Sequence, residues 1–547
     1  MKHLMIATLA LILLGSSAAL ADVINVPGDY AQIHDAVQAA NAGDTVMVAA
    51  GTYTDCTHET EGEGSTPACV IMKAGVTLMG AGMDDTILDA EGLGRGIYVD
   101  DTDDVRIENL QVRNAYAEIY GAGILIREGS TGAEVEDVKV TMCGDGGIVV
   151  IHSAEATLTN VHFLGNEAKQ GGGLAVEESS SAVVASCVID DNTAPSGAGV
   201  FIRGGCTVAM TGCTITNNVI NADFGNGGGV CVQDSQCDIS GSIIDNNITR
   251  GAGGGLAYIS EATGTVDDCE ITNNRTDASY NFGGGISCQQ SSPVLQNLLL
   301  VNNSAATTGS DGGGIDIQFT PAPTITNCTL VGNSCSPTTE GAGIVVQWGA
   351  NPQINNTLIT GSIGGQGISC VFSDDTVVTG CNIWDNEGGN DVCGIDGGCN
   401  FSADPMFCNA EEGNYHISTT SPCASGNHPD GGDCGASHVG AFIAGCGSAV
   451  GDLPLAVSLL GNSPNPFNPM TTIFFVLDVP GDVVVRIHDL RGRKMREFNR
   501  SSLPAQTRHE ISWNGRDQDG RSLPSGVYLY QLETQGVTTT KRMSLIR

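Results

Sequence analysis

The sequence predicts an all-β chain whose short parallel strands coil and stack into a solenoid. First, glycine clusters recur from Gly121 to Gly367, with successive last glycines 24 to 30 residues apart. Second, an apolar strand follows almost every cluster. Third, a pair of inward positions spaced by two precedes an asparagine, as in Cys213, Ile215 and Asn218. A sustained period in this range is typical of a solenoid, and the chain lacks both a leucine framework and the longer period of propeller blades. These features predict a parallel β-helix.

The asparagines of successive repeats are predicted to form a vertical ladder. An amide side chain can donate to one neighbouring copy and accept from the other, at the spacing of about 4.8 Å between adjacent strands. Ser362 interrupts the column. The predicted members are Asn166, Asn192, Asn218, Asn247, Asn274, Asn303, Asn333 and Asn386.

The N-terminus has the pattern of an exported protein. Residues 1–21 combine Lys2, an apolar run and a small-residue site before Asp22, which predicts a cleavable signal peptide. No other stretch reaches 18 unbroken apolar residues, so no integral membrane segment is expected. A helix with one apolar face is predicted within residues 30–42, with Asp29 as its N-cap, and it would cover the open end of the solenoid.

Three phrases near the N-terminus carry a family resemblance. Residues 30–53, 75–82 and 86–89 resemble the opening of pectin-lyase-like right-handed parallel β-helix proteins. The resemblance covers about residues 22–445 and implies a right-handed β-helix with an N-terminal helical cap and a cysteine-rich C-terminal cap. That superfamily includes lyases, hydrolases, epimerases and surface proteins without known catalysis. Residues 446–453 are predicted to be a linker.

The last part of the chain differs in charge and pattern. Residues 454–547 contain 12 Lys and Arg against 8 Asp and Glu, a net charge of +4, whereas residues 22–453 contain 10 against 53, a net charge of −43. Alternating apolar residues predict a small antiparallel β-sandwich. Five phrases, at 463–469, 489–493, 513–520, 524–528 and 541–543, resemble the Ig-like C-terminal sorting domain of type IX secretion cargo. The resemblance implies engagement of outer-membrane secretion machinery, with Lys541 and Arg542 in the last motif, and a secreted, extracellular or outer-membrane surface location.

The 20 cysteines suit an oxidising compartment. We predict disulfides between Cys56 and Cys69 and between Cys393 and Cys399. The cysteines at 408, 423, 434 and 446 allow three connectivities, which stay open. Five others, Cys187, Cys213, Cys269, Cys328 and Cys381, lie in the inward column and are interpreted as small buried hydrophobes.

The sequence contains no recognisable catalytic constellation. Lyases of the resembling superfamily use a basic residue beside acidic calcium ligands, but no Lys or Arg lies between Arg275 and the C-terminal region. The acidic run Asp100, Asp101, Asp103 and Asp104 could bind calcium, or could simply be a solvated turn. Trp348 and Trp384 are candidate sugar-binding residues. Nucleic acid is an unsuitable partner for so acidic a surface.

Three functions remain open from the sequence. The first is a non-catalytic surface protein that binds carbohydrate or a cell-surface partner along its acidic flank. The second is a polysaccharide lyase or glycoside hydrolase. The third is a structural spacer.

Overall fold

The computed structural model places parallel strands in register across the whole repeat region. It describes residues 21–545 except 61–65, 117–122, 278–281, 306–308, 310, 320–321, 338–340, 430–437, 447–456, 464–466, 468, 478–480, 490–492, 505–507, 519, 525 and 535–536. The predicted signal peptide, apart from its last residue, and nearly all of the predicted linker lie outside the described residues. Inward residues stack in files, and Ile215 pairs with Ile189 on one side and Ile244 on the other. The predicted solenoid is therefore confirmed.

Three parallel sheets form the walls of the solenoid within the described residues. Sheet I has 26 strands, two in most turns: Val23–Val26, Thr45–Val48, Gly51–Tyr53, Thr77–Met79, Thr86–Asp89, Arg106–Arg113, Ala133–Thr141, Glu155–Thr159, His162–Leu164, Ser181–Ala185, Val188–Asp190, Thr207–Thr211, Thr214–Thr216, Gln236–Ser240, Ile243–Asp245, Thr265–Asp267, Glu270–Thr272, Val294–Gln296, Leu299–Val301, Thr324–Thr326, Thr329–Val331, Gln353–Asn355, Leu358–Thr360, Val377–Thr379, Asn382–Trp384 and Ile395–Asp396. Sheet II has 12 strands: Ala68–Ile71, Arg95–Asp100, Ile124–Arg127, Ile148–Val150, Leu174–Glu177, Val200–Arg203, Val230–Gln233, Leu256–Ile259, Ile286–Gln289, Ile315–Gln318, Gly341–Gln347 and Gln366–Val371. Sheet III has 6 strands: Thr193–Ala194, Val219–Ile220, Ile248–Thr249, Arg275–Thr276, Ser304–Ala305 and Ser334–Cys335.

The ends of the solenoid are covered differently. At the N-terminus the helix Ile33–Ala39 buries Ile33, Ala36 and Val37. Its N-cap is Gln32, without a side-chain cap, so the prediction of Asp29 as N-cap was wrong. The Asp29 carboxylate instead accepts a hydrogen bond from the Asn25 backbone N–H at 2.8 Å.

The C-terminal cap packs against the outside of sheet I. It contains the antiparallel strands Phe407–Asn409 and Asn414–Ile417, joined by the 3-10 turn Ala410–Glu412. Ile417, Cys423 and Val439 are buried in one cluster with Leu358, an outward-facing residue of sheet I. The last turns of the solenoid are thus shielded on this side.

The region after residue 456 forms antiparallel sheets with a separate core. One sheet contains Val457–Ser463, Thr471–Leu477 and Arg508–Trp513. The other contains Lys494–Leu503, Gly481–Asp489, Gly526–Thr534 and Val537–Leu545. Phe475, Trp513 and Tyr530 are among the residues buried between them. The predicted strands are present, whereas the Ig-like identity of this region stays a prediction.

The asparagines form a continuous buried ladder. From Asn166 to Asn333 each side-chain Nδ2 donates to the Oδ1 of the next member, at 2.9 to 3.0 Å. Each Nδ2 also donates to a backbone carbonyl of the preceding turn, as Asn218 does to Ile189. Beyond the interruption at Ser362, Asn386 donates to Asn390 instead. The left-handed residue of this corner is the one before the ladder member, for example Asn217.

A second file lies at the bend between the two sheet I strands of a turn. Its polar members are Cys187, Cys213, Ser242, Cys269, Cys328, Thr357 and Cys381. The Cys187 thiol donates to the Ala185 carbonyl and accepts from the Val161 N–H, each at 3.4 Å. Burial raises the pKa of Cys187 well above its ordinary value, so the thiol stays protonated. These cysteines are buried and free, as predicted, but they also satisfy backbone groups, which is why serine and threonine can replace them.

The disulfides agree only in part with the sequence prediction. Cys56 is bonded to Cys69, the predicted pair. The prediction of Cys393 with Cys399 was wrong, because Cys393 is bonded to Cys370, with Cα atoms 5.6 Å apart. Cys393 packs against the end of the solenoid core, where the last inward position of sheet II is Cys370. Cys399 is itself disulfide-bonded.

For the four C-terminal cysteines whose connectivity was left open, the structure describes one disulfide. Cys408 is bonded to Cys446, and Cys423 is free and buried. Cys434 lies outside the described residues. The Cys408–Cys446 bond ties the C-terminal cap to the first residue of the predicted linker.

Candidate functional site

The turn that follows a sheet II strand, which we call the first corner, places at least one residue in a left-handed conformation in every turn from Asp101 onward. The file reads Asp101, Glu128, His152, Glu178, Gly204, Asp234, Ser260, Gln290, Phe319, Trp348 and Phe372, with φ between 44° and 85°. Backbone hydrogen bonds link this corner to the same corner of the next turn. For example, the Trp348 N–H donates to the carbonyl of Val371, the residue before Phe372, at 3.0 Å. Left-handed backbone suits glycine, asparagine and aspartate, whereas bulky side chains adopt it at a cost. Three successive aromatic residues here therefore need an explanation other than the turn itself.

The three aromatic residues form an exposed ridge, which we call the aromatic ridge. The exposed fractions are 41% for Phe319, 40% for Trp348 and 81% for Phe372. The Phe319 and Trp348 rings stack with centroids 5.0 Å apart and planes inclined by 21°. Phe282 meets the Trp348 ring edge-on at 5.8 Å. The ridge thus presents apolar ring surface to solvent over three turns.

Amide and carboxyl groups lie beside the aromatic ridge on the outer face of sheet II. The Gln347 side chain donates to Asp311 at 3.4 Å, and the Gln318 side chain donates to Asp316 at 3.0 Å. Asp316 has no solvent exposure. Burial raises the pKa of Asp316 well above its ordinary value, the hydrogen bonds from Gln318 and Ser287 oppose this, and the charge of Asp311 adds to it. Asp316 is therefore a neutral acid over a pH range in which an exposed aspartate is ionised.

The other end of the first corner is ionic. His152 lies between two carboxylates, with Nδ1 2.7 Å from Glu128 and Nε2 3.0 Å from Glu178. Hydrogen bonds from Arg127 and His152 hold the pKa of Glu128 below its ordinary value. The first corner thus changes from charged to aromatic along the solenoid.

The acidic run is divided between different partners. The Asp100 carboxylate accepts from the Tyr98 hydroxyl at 3.0 Å and faces Arg127. The Asp103 carboxylate accepts from the Thr131 hydroxyl at 2.7 Å and from the Thr131 backbone N–H at 2.9 Å. Asp101 and Asp104 occupy left-handed turn positions. Among the residues that the structure describes, no three His, Cys, Asp or Glu side chains are grouped as metal ligands would be.

The two candidate tryptophans do not lie together. Trp348 is at the first corner, whereas Trp384 ends a sheet I strand, pairs with Thr360 and is half-buried. Phe372, which sequence reasoning missed, completes the ridge. Its signal was available, because Phe319, Trp348 and Phe372 each follow the strand after a glycine cluster.

The two basic residues of the last C-terminal motif lie on the final described strand. Lys541 and Arg542 belong to Val537–Leu545, and Arg542 pairs in register with Leu529. The Lys541 ammonium lies 3.0 Å from the Asp137 carboxylate of sheet I. None of the helices in the described ranges has the length and apolar character needed to cross a bilayer.

Comparison with known proteins identifies the repeat region. Residues 86–241 and 221–359, together half of the chain, match the sequence model of the right-handed β-helix region family. No curated protein sequence matches the chain.

Three solved structures illustrate the similarity. The catalytic unit of a thermostable GH87 α-1,3-glucanase from Streptomyces thermodiastaticus is 15% identical, with a TM-score of 0.35 over 71% of this chain and 68% of that one. The A-module of the mannuronan C-5 epimerase AlgE6 from Azotobacter vinelandii is 14% identical, with a TM-score of 0.33 over 70% of this chain and 100% of that one. PorZ, a surface component of the type IX secretion system of Porphyromonas gingivalis, is 28% identical over 19% of this chain and 13% of its own length, with a TM-score of 0.13.

TM-scores this low say nothing about the activity of this chain. The family match stands on its own, and the stacked parallel strands agree with it. This protein belongs to the right-handed parallel β-helix family.

Proposed function

We propose that this protein is an exported, surface-associated β-helix protein that binds neutral carbohydrate at the aromatic ridge and needs no catalysis to do so. The observation that carries the proposal is the presence of Phe319, Trp348 and Phe372 at three successive left-handed positions, all exposed. Bulky rings at such positions cost more backbone strain than glycine or asparagine would. Exposed residues that depart from the residue preference of their backbone conformation indicate a functional surface.

The chemistry of the aromatic ridge suits sugars. Pyranose rings have apolar C–H faces that pack on aromatic rings and hydroxyl groups that need polar partners. The ridge supplies the rings, and the half-buried Asp311 carboxylate, which accepts from the Gln347 side chain next to Trp348, supplies a polar partner. A few polar groups among aromatic side chains are typical of binding sites for small polar ligands.

The charge of the solenoid region selects against acidic polymers. Residues 22–453 have a net charge of −43, which repels uronates and sulfated glycans unless a metal intervenes. Calcium bound along this flank would lower that repulsion. Neutral glycans are therefore the proposed ligands, and binding should be measured with and without calcium.

Replacing Trp348 with glycine tests the ridge. We expect the association constant for the neutral glycan that binds best, among glucans, mannans, galactans and xylans, to fall about tenfold or more. We expect stability to change by less than about 1 kcal/mol, because relief of the left-handed backbone offsets the lost ring stacking. Isothermal titration calorimetry and urea unfolding provide the two readouts.

The matched control is Phe224→Gly, which removes an exposed aromatic ring at another left-handed position. It should leave glycan binding unchanged. If the wild-type protein bound none of the glycans on the panel, a structural spacer would be favoured. Equal binding by wild type and Trp348→Gly would show that the ridge is not the binding surface.

One observation favours an enzyme as the second candidate. Asp316 keeps its proton beside Asp311, and a neutral acid near a second carboxyl group is what glycoside hydrolysis requires. Its complete burial argues against contact with a polymer. Release of new reducing ends from the same glycan panel, lost in Asp316→Asn, would make the enzyme the better description.

Export is proposed from the two ends of the chain. Residues 1–21 would direct passage across the inner membrane, and residues 454–547 would engage the outer-membrane secretion machinery. We expect Lys541→Ala combined with Arg542→Ala to leave most of the protein in the periplasm of a host with type IX secretion, as cell fractionation would measure. Lys494→Ala, an exposed lysine in the same region, is the control. Unchanged surface display of the double variant would assign these residues another role.

A further inference from the structure

A second corner of the solenoid also has a regular left-handed file. It follows the second sheet I strand of each turn, and its residues have φ between 53° and 64°. They are Asn114, Met142, Gly165, Asp191, Asn217, Asn246, Asn273, Asn302, Gly332, Gly361 and Asp385. Ten of these eleven are glycine, asparagine or aspartate, as the backbone favours. Met142 is the exception, and 59% of it is exposed.

Met142 borders an open cavity of about 550 Å³. Tyr116, which is 54% exposed, lies on the same wall. Gly144 makes room for its ring, because a Cβ at that position would lie 3.0 Å from the Tyr116 Cδ2. Two exposed apolar side chains therefore line a cavity of the size that small ligands occupy.

The polar wall of the cavity is fixed by hydrogen bonds. The Asp89 carboxylate accepts from the Arg113 Nε at 2.8 Å and from the Asn114 Nδ2 at 2.9 Å. These contacts orient the Asn114 amide and offset the Asp89 charge with that of Arg113. Glu91 itself has a left-handed backbone conformation and is exposed. The lining of the cavity thus contains both hydrogen-bond acceptors and apolar groups.

We infer that this cavity is a second binding site, which takes one neutral pyranose unit. Tyr116 and Met142 would pack on the apolar face of the ring, while the Glu91 carboxylate and the Asn114 side-chain Oδ1 accept its hydroxyl groups. The charge of Glu91, for which the described residues provide no ion pair, disfavours anionic sugars. The choice of a sugar as the ligand rests on the proposed function. The site itself is separate from the aromatic ridge, because it lies at the second corner.

Methyl NMR of the full-length protein with ¹³C-methyl methionine tests the site directly. Methyl glucoside, methyl galactoside and methyl mannoside are the probes, and Met142→Leu assigns the resonance. We expect the Met142 methyl signal to shift saturably with at least one probe at millimolar concentration. Tyr116→Ala should weaken binding about tenfold, and Glu91→Gln should weaken it several-fold.

Controls separate this inference from the proposed function. Phe224→Ala and Trp348→Gly should keep the Met142 shift, even if Trp348→Gly loses polysaccharide binding. A Met142 signal that none of the three glycosides moves would overturn the inference. So would a shift that survives Tyr116→Ala unchanged, or one produced by choline in place of the glycosides, which would indicate a cation site.

Discussion

Replacing Asn218 with alanine is expected to lower the free energy of unfolding by about 3–5 kcal/mol. Asn218 is fully buried in the middle of the asparagine ladder. Its Nδ2 donates to the Ile189 carbonyl and to Asn247 Oδ1, both at 2.9 Å. Its Oδ1 accepts from the backbone N–H and the amide of Asn192, at 3.1 and 3.0 Å. Alanine would leave these buried groups unpaired, at about 1–3 kcal/mol each.

Urea unfolding, followed by circular dichroism, measures the loss. Asn217→Gly is the control, because Asn217 is exposed and its left-handed backbone suits glycine. It should change stability by less than about 1 kcal/mol. Asn218→Asp should not rescue the ladder, since a carboxylate accepts but cannot donate to Ile189. A loss no larger than that of Asn217→Gly would show that the ladder does not stabilise the solenoid.

Asp316→Asn is expected to stabilise the protein at neutral pH but not in acid. Burial raises the pKa of Asp316 well above its ordinary value of 3.8. In the unfolded chain this carboxyl group ionises as pH rises above about 4, whereas the folded protein keeps it protonated. Each pH unit in that window therefore lowers wild-type stability by about 1.4 kcal/mol, until the folded pKa is reached. Asparagine has nothing to ionise.

The difference between the two proteins should thus be small near pH 4 and widen as the pH rises toward 7. Asparagine also fits the site, since its oxygen can accept from Gln318 while the Ser287 hydroxyl turns to accept from its NH₂ group. Urea unfolding across this pH range provides the measurement, with the exposed Asp374→Asn as control. Parallel pH profiles for wild type and Asp316→Asn would contradict a neutral buried Asp316.

The two files of small polar residues show which contacts can be predicted from a sequence repeat and which cannot. The asparagines were predictable because an amide is both donor and acceptor, so identical copies satisfy one another. The cysteines were predicted to be buried, but their hydrogen bonds were not, since only the structure shows that the Val161 N–H at the bend donates to Cys187 Sγ. The presence of Ser242 and Thr357 in that column was the available signal.

Contacts between turns whose residues do not repeat one another were harder to predict. Cys393 and Cys399 are close in sequence, yet Cys393 bonds Cys370, because the chain packs against the end of the core between the strands Asn382–Trp384 and Ile395–Asp396. Trp348 and Trp384 were both candidate binding residues, but Trp348 lies at the first corner after a sheet II strand, whereas Trp384 ends a sheet I strand. Phe372 joins Trp348 only because the strands before them are in register.

The sequence by itself determined the architecture of the solenoid. Its period fixes which residues repeat, and a repeated residue at a strand spacing of about 4.8 Å has its own copy as nearest neighbour. The tertiary structure alone decided which residues that depart from the repeat come together. These are the aromatic ridge at the first corner, the Tyr116 and Met142 cavity at the second, and the neutral Asp316 on the outer face of sheet II. These depend on the corner each residue occupies and on what covers it, and burial and backbone handedness are properties of the folded turn rather than of the repeat.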